Sequence, residues 1–558
     1  MLNNSTLRLD ANKELPNYRT PWAIGGSTTS SATVTVVAYA GKMYLITNAH
    51  AVMDSTYLKI KLNRNSTEIP VEKCWVDPIM DLAIITTTTQ EAEDLLIKEM
   101  QPLELVPHFQ KQGTEVYAYG YPAGGKGLSF TKGNISRVEL SSIALSKATA
   151  ITVQTSAPIN PGNSGGPITC MMDGSEKCIG IVAQGISSLQ NTGYFIPACT
   201  VINTIERYIK FSPLQEKGFI DFVTAPTLSF SWQSLKNKPL RDALGLNETP
   251  LGEELTGIRV TAVSSDSCAY GLLQEGDIIQ KIDDTPIQSN GHVQIDSLEN
   301  PIGFDFIVLQ KNYLDTLNIM IQRARADTTT LETCVVQARL NKQLEQSLLG
   351  PNYQEPLKYH IQPSGTKGAY VFIRLTSAYK SAFYQQSSAT TPPNVPPFFT
   401  QLSHLHKKDA SEIVILQNII PSEETDGYES FPVIRGSACT SHRVTEANGL
   451  KINNLFDLVS ALSDTSKTSK ITFENGNILY IAPAAKVATQ NLTTSHQITF
   501  FSSPKTAKID PGPVIKSIAS LGARDRNTYG FLKSVETMVS SECVVFDNEE
   551  KQTSTMSY

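Results

Sequence analysis

Asn160-Pro161-Gly162-Asn163-Ser164-Gly165-Gly166-Pro167 sets a single serine among glycines, with apolar runs on either side. That composition has a mechanical reading. A serine hydroxyl that attacks an amide places negative charge on the carbonyl oxygen, and each backbone N–H aimed at that oxygen stabilises it by roughly 3 to 4 kcal/mol. The candidate oxyanion hole is Gly162, Asn163 and Ser164. Gly162 permits the turn, the N–H groups of Gly162 and Ser164 are the donors, and Asn163 fixes the loop's shape. Gly165 and Gly166 leave room for a substrate backbone.

A hydroxyl near neutral pH is a weak nucleophile, so it needs an adjacent base, and that base needs an acid to fix its tautomer. Both stand upstream. His50 closes the strand-like run Leu45-Ile46-Thr47-Asn48-Ala49, and Asp81 opens Asp81-Leu82-Ala83-Ile84-Ile85 after the turn residues Asp77-Pro78. The order His50, Asp81, Ser164 is the order found on the chymotrypsin-like double barrel.

The surrounding residues agree with an all-β double β-barrel. From about Trp22 to Ile209, short β-branched runs such as Thr33-Val34-Thr35-Val36-Val37 and Ile179-Gly180-Ile181-Val182 are broken by Gly, Pro, Asn and Asp. Val201, Ile202, Ile205 and Ile209 then recur at helical spacing, which predicts one amphipathic helix over 200–210. Further on, Ile258-Arg259-Val260 and Phe306-Ile307-Val308-Leu309 read as strands. These features divide the chain into an N-terminal segment (1–21), the barrel domain (22–212), a second unit (222–345), a third (346–500) and a partly disordered extension (501–558). Ser387 to Pro397, rich in Ser, Thr and Pro, reads as an exposed loop within the third unit. Asp547 to Tyr558 reads as a disordered tail.

Thr47-Asn48-Ala49-His50, Asp81-Leu82-Ala83-Ile84 and Gly162-Asn163-Ser164-Gly165-Gly166-Pro167 resemble the three catalytic blocks of the HtrA/Deg family of PDZ-bearing serine proteases, and most of all its plant-type members. Gln154-Thr155 and Gly193-Tyr194-Phe195-Ile196-Pro197 add to the likeness. The resemblance implies a trypsin-like protease domain followed by mixed α/β PDZ-like domains. It also implies ATP-independent endopeptidase activity on unfolded or exposed segments, and assembly as a trimer or a multiple of trimers. Tyr18 and Trp22 either pack between protomers, as an N-terminal segment does in trimers of that family, or Trp22 caps its own barrel. Gly271 to Ile282 is similar to the helix-to-strand segment of a PDZ domain, and Thr227-Leu228-Ser229-Phe230 falls where its peptide-binding loop belongs. Such a fold captures an extended peptide by strand addition. Ser229 replaces a glycine common in relatives. Asn448 to Leu455 marks a more divergent second copy.

Specificity reads as aliphatic. Cleavage after Lys or Arg needs a carboxylate in the S1 pocket, and the segment before Ser164 has none. Ile159, with Thr192, is the candidate pocket wall. The alternative function is a peptide-binding, chaperone-like scaffold with a latent protease domain.

Composition excludes several other classes. A net charge of -6 over 558 residues offers no general attraction to nucleic acid, so the expected partners are proteins and peptides. No uncharged apolar run is long enough for a membrane span. The eight cysteines form no CxxC pair, so neither a metal site nor any other cofactor is expected. Cys170 and Cys178 flank a hairpin-like turn at Asp173-Gly174, which leaves a disulfide or two free thiols open. Met1 to Tyr18 lacks the basic and apolar regions of a secretory signal, so a cytoplasmic location is expected, with export by a non-Sec route left open.

Overall fold

The computed structural model describes residues 4–16, 24–62, 67–122, 127–143, 145, 148–185, 192–216, 225–226, 228–244, 246, 256–263, 267–324, 331–340, 358–362, 369–375, 413–420, 427–428, 443–464, 466–482 and 497–501. These fall into two compact units, the first reaching to Gln343 and the second formed mainly by the chain that follows. The Ser387–Pro397 loop, the Asp547–Tyr558 tail, Tyr18, Trp22 and Thr227 lie outside the described residues.

The first unit opens with a six-stranded barrel. Its strands are β1 (Thr6–Pro16), β2 (Ile24–Tyr39), β3 (Lys42–Thr47), β4 (Ser55–Lys61), β5 (Glu68–Asp77) and β6 (Leu82–Thr87), paired in the order β1-β4-β5-β6-β3-β2 and closed by β2 on β1. A short β7 (Leu103–Glu104) lies parallel to β2. Alternation of apolar and polar residues drives the closure: Leu7, Leu9, Val34, Val36 and Ile60 are fully buried in one core. The barrel thus begins at Thr6, ahead of the Trp22 boundary read from sequence. Leu7, Leu9 and Ala11 carry the period-two signal in a stretch otherwise polar.

The second barrel is closed by β8 (Glu115–Gly120), β9 (Ser129–Ser142), β10 (Thr149–Thr155), β11 (Pro167–Met172), β12 (Ser175–Gly185) and β13 (Gly193–Pro197). Val116, Ile135, Val153, Ile168 and Phe195 fill it. Asp173 and Gly174, both at positive φ, turn the β11–β12 hairpin. Cys170 and Cys178 are free thiols, with Cys170 opposite Lys177 and Cys178 opposite Thr169. Burial pushes the Cys178 thiol up to about 12.

Three helices accompany the barrels: the single-turn α1 (Ala49–Val52), α2 (Gln90–Glu99) and α3 (Ala198–Glu216). The last is longer than the predicted 200–210. Beyond α3, a six-stranded sheet runs in the order Phe230–Ser234, Ile258–Val263, Ile278–Ile282, Thr316–Ala324, Leu331–Arg339, with Thr285–Pro286 paired on its central strand. It carries α4 (Lys238–Ala243) and α5 (Asp305–Leu309). Phe306 to Leu309 is therefore helical, not the strand that its sequence suggested. All four side chains are buried, and a short run that is apolar on every side has no period to separate helix from strand.

The second unit joins two four-stranded sheets over one core, with Tyr370, Phe372 and Leu416 from one and Phe473 and Leu479 from the other. A helix, Leu455–Ala461, is capped by Asn454, which accepts from the Asp457 N–H at 2.7 Å. Asn448 and Gly449, again at positive φ, form the preceding hairpin turn.

Candidate active site

Asp81 ends the turn that joins β5 to β6, and its φ of 54° is one that a short polar side chain tolerates. Two bonds fix it there. Asp77 Oδ1 accepts from the Met80 N–H at 3.1 Å, closing the turn, and Asn48 Nδ2 donates to the Asp81 carbonyl at 2.9 Å. The Asp81 carboxylate then holds His50 twice, accepting from the backbone N–H at 2.9 Å and pairing with Nδ1 at 2.7 Å. A carboxylate only accepts, so Nδ1 carries the proton and Nε2 is the nitrogen left as base. Asp81 is 6% exposed and His50 38%, so the acid is shielded while the imidazole is reachable. His50 lies in α1, three residues past the end of β3 instead of within the strand end. Lys13, from β1, donates to the His50 carbonyl at 2.6 Å, and burial pushes its ammonium pKa down.

Ser164 sits on the turn between β10 and β11. The first barrel braces this turn: Thr33 Oγ1 donates to the Gly162 carbonyl at 2.8 Å, the Thr33 N–H to the Ser164 carbonyl at 2.8 Å, and Thr35 Oγ1 to the Gly165 carbonyl at 2.7 Å. Thr47, on the strand that leads to His50, donates to the Thr33 carbonyl at 2.8 Å. Gly165 is required by this approach, since a Cβ there would lie 2.1 Å from the Thr33 carbonyl oxygen. The serine turn is thereby set beside the chain leading to His50, although no hydrogen bond joins His50 to Ser164.

Amide accounting separates the three proposed oxyanion residues. The Asn163 N–H is donated to Asn160 at 3.0 Å, Gly165 to Val182 at 3.0 Å and Gly166 to Asn163 at 2.9 Å. Among the described residues, the N–H groups of Gly162 and Ser164 meet no protein acceptor. Asn163, whose N–H is spent within the turn, has its side chain buried against Gly120.

Ile159 lies against Gly193, where a Cβ would come within 2.4 Å of Ile159 Cδ1, and the half-buried Thr192 is the residue just before Gly193, at the start of β13. In the sheet after α3, Leu228 is buried and Phe230 opens an edge strand, stacking on Phe304 at 5.7 Å. Among the described residues, no cluster of three His, Cys, Asp or Glu side chains could hold a metal ion. Sequence reasoning missed the roles of Thr33, Thr35 and Asn48; the only local signal was threonine at alternate positions on an apolar strand.

Known proteins resemble this chain in the same places. Residues 32–181 match a trypsin-like peptidase domain, and residues 353–505 match a PDZ domain. "Protease Do-like 4, mitochondrial" of Arabidopsis thaliana is 27% identical over 500 residues, covering 89% of this chain and 84% of that protein. "Protease Do-like 2, chloroplastic" of the same plant is 29% identical over 478 residues, 84% of this chain and 69% of that one. A solved HtrA-type protease, AlgW, with a decapeptide aligns with 61% of this chain and 96% of its own at 21% identity and a TM-score of 0.42. The expectation of a cytoplasmic location does not stand, because these plant relatives are named as mitochondrial and chloroplastic proteins. The chain thus carries a trypsin-like peptidase domain and a PDZ domain, and over most of its length it is similar to Do-like serine proteases of the HtrA/Deg type.

Proposed function

We propose that the chain is a serine endopeptidase in which Ser164 is the nucleophile, His50 the base and then the acid, and Asp81 the group that orients His50. The observation that carries this reading is the 2.7 Å contact of Asp81 Oδ2 with His50 Nδ1, beside a serine turn with two unspent amides. His50 Nε2 takes the Ser164 proton as Oγ adds to the scissile carbonyl. The N–H groups of Gly162 and Ser164 hold the oxyanion. Collapse releases the amine, which takes the proton from His50, and leaves an acyl-enzyme that water hydrolyses by the same steps in reverse roles.

Ile159 and Thr192 form the S1 wall and favour an aliphatic P1 residue. The edge strand Phe230–Ser234 adds an extended peptide as a further strand, with Thr227, Leu228 and Ser229 leading into it. The missing Ser164–His50 bond favours a resting state that tightens on substrate, since such bonds are often long in unliganded enzymes. Unfolded or exposed protein segments are the substrates, and the chain assembles as a trimer or a multiple of trimers. Native mass spectrometry after exposure to a fluorophosphonate tests chemistry and assembly together. The expected particle is three times the 61.0 kDa chain, or a multiple of that, with one adduct per chain on Ser164 and none on Ser164→Ala. Adducts on another residue, or a monomeric particle, would refute the respective half.

A further inference from the structure

Asp77 and Arg207 form an ion pair at 3.4 Å whose side chains are 0% and 1% exposed. Burial pushes the Asp77 carboxyl up and the Arg207 guanidinium down, so each keeps its charge through the other. A buried pair of this kind is weak evidence for stability, because desolvation offsets the attraction. Its placement says more. Asp77 closes the turn that ends at Asp81, through the Met80 N–H. Arg207, on α3, reaches two further acceptors with Nη2, the carbonyls of Leu309 and Lys311, each at 3.3 Å. These lie at the C-terminal end of α5, which is itself held by Phe109 against Phe306 at 6.0 Å, Phe211 against Tyr313 at 5.9 Å, and Asn203 donating to Gln310 at 2.9 Å.

We propose that Arg207 is a positioning residue for the triad acid: it holds Asp77, and so the turn that keeps Asp81 on His50, and it can do so only while α5 is docked. This rests on reading His50, Asp81 and Ser164 as the triad. The physical basis is satisfaction of a buried guanidinium. If α5 lifts away, Nη2 loses both carbonyls, and the cation must either move toward water or leave Asp77 poorly held. The turn is a short element with one left-handed residue, so release of Asp77 frees Asp81 without unfolding either barrel. A geometric loss at the triad acid reduces turnover more than substrate affinity, because Asp81 touches no substrate.

Full-length wild type, Arg207→Met, Arg207→Lys and Phe306→Ala are compared on an internally quenched peptide with an aliphatic P1 residue, with Ser164→Ala alongside. Each preparation is titrated with a fluorophosphonate so that kcat is expressed per labelled serine. Arg207→Met is expected to lower kcat on the order of 10- to 100-fold, with KM within about twofold. Arg207→Lys, whose ammonium can meet Asp77 but cannot span both carbonyls, recovers part of the loss. Phe306→Ala, which loosens α5 and leaves Arg207 in place, shows a smaller loss of the same kind. Wild-type kcat per labelled serine in Arg207→Met, with only the labelled fraction or the Tm reduced, would mean that the pair merely holds the fold, and would overturn the proposal. Wild-type kcat in Phe306→Ala would overturn its dependence on α5. If Arg207→Met gives no folded protein, Arg207→Lys carries the comparison: a kcat deficit at unchanged KM supports the proposal and wild-type kcat refutes it. Turnover by Ser164→Ala would instead remove the triad reading, and this inference with it.

Discussion

Thr33 does more for the site than its hydroxyl suggests, because Oγ1 donates to the Gly162 carbonyl and accepts from the Tyr121 N–H in a fully buried position. Thr33→Val keeps the shape and removes both bonds, taking one donor from the Gly162 carbonyl and one acceptor from the Tyr121 N–H in a buried place. The expected cost is about 1 to 3 kcal/mol. Because the Gly162 turn aims one of the two proposed oxyanion donors, kcat should fall as well, by roughly tenfold, with KM nearly unchanged. Peptide kinetics together with urea unfolding check both halves; a stability loss with wild-type kcat would detach Thr33 from the site. At this scale the proposed nucleophile, base and acid could be picked out in the sequence because their chemistry demands specific residue types near glycines and turns. Thr33 and Thr35 were not, since their partners Gly162 and Gly165 lie 129 and 130 residues away and no local pattern links them. The two amides named as donors from the sequence, those of Gly162 and Ser164, are the ones the turn's internal bonds leave unspent among the described residues.

The first strand shows what an element contributes beyond its own residues. β1 pairs with both β2 and β4 and so closes the first barrel, and Asp10 ties the three together by accepting from Ser31 of β2 and pairing with Lys61 of β4. Burial works against the Asp10 carboxylate, but hydrogen bonds from Arg8, Lys61 and Ser31 outweigh it and hold its pKa below the ordinary value. A depressed carboxyl contributes stability that is present above its unfolded pKa and is lost as pH falls through the folded one. Asp10→Asn should therefore cost about 1 kcal/mol at pH 7, solvent screening limiting the effect, and the gap to wild type should close below the usual aspartate range. Urea midpoints at pH 7 and pH 3 measure it; a gap that persists unchanged in acid would contradict the linkage. β1 was hidden in the sequence by its polar alternate face, although Leu7, Leu9 and Ala11 held the period. The α5 helix was hidden for the opposite reason, an apolar run with no polar face to set a period.

Across the whole chain, a two-barrel protease is followed by strand-rich modules, and the proposed catalytic residues are drawn from both barrels: His50 and Asp81 from the first, Ser164 from the second. On that proposal the first barrel supplies an oriented base, while the second supplies a nucleophile and two unspent amides. This arrangement places the site where the barrels meet, so activity depends on their mutual packing as much as on any one side chain. The sequence carried this architecture through the order of its three blocks and its short β-branched runs. It could not carry where the protein resides, which the N-terminal composition misjudged. Digestion of unfolded casein by wild type and Ser164→Ala, with cleavage sites mapped by mass spectrometry, tests the central claim most directly. Cleavage by wild type alone, mainly after aliphatic residues, is the predicted result; equal cleavage by both proteins, or none by either, would contradict it.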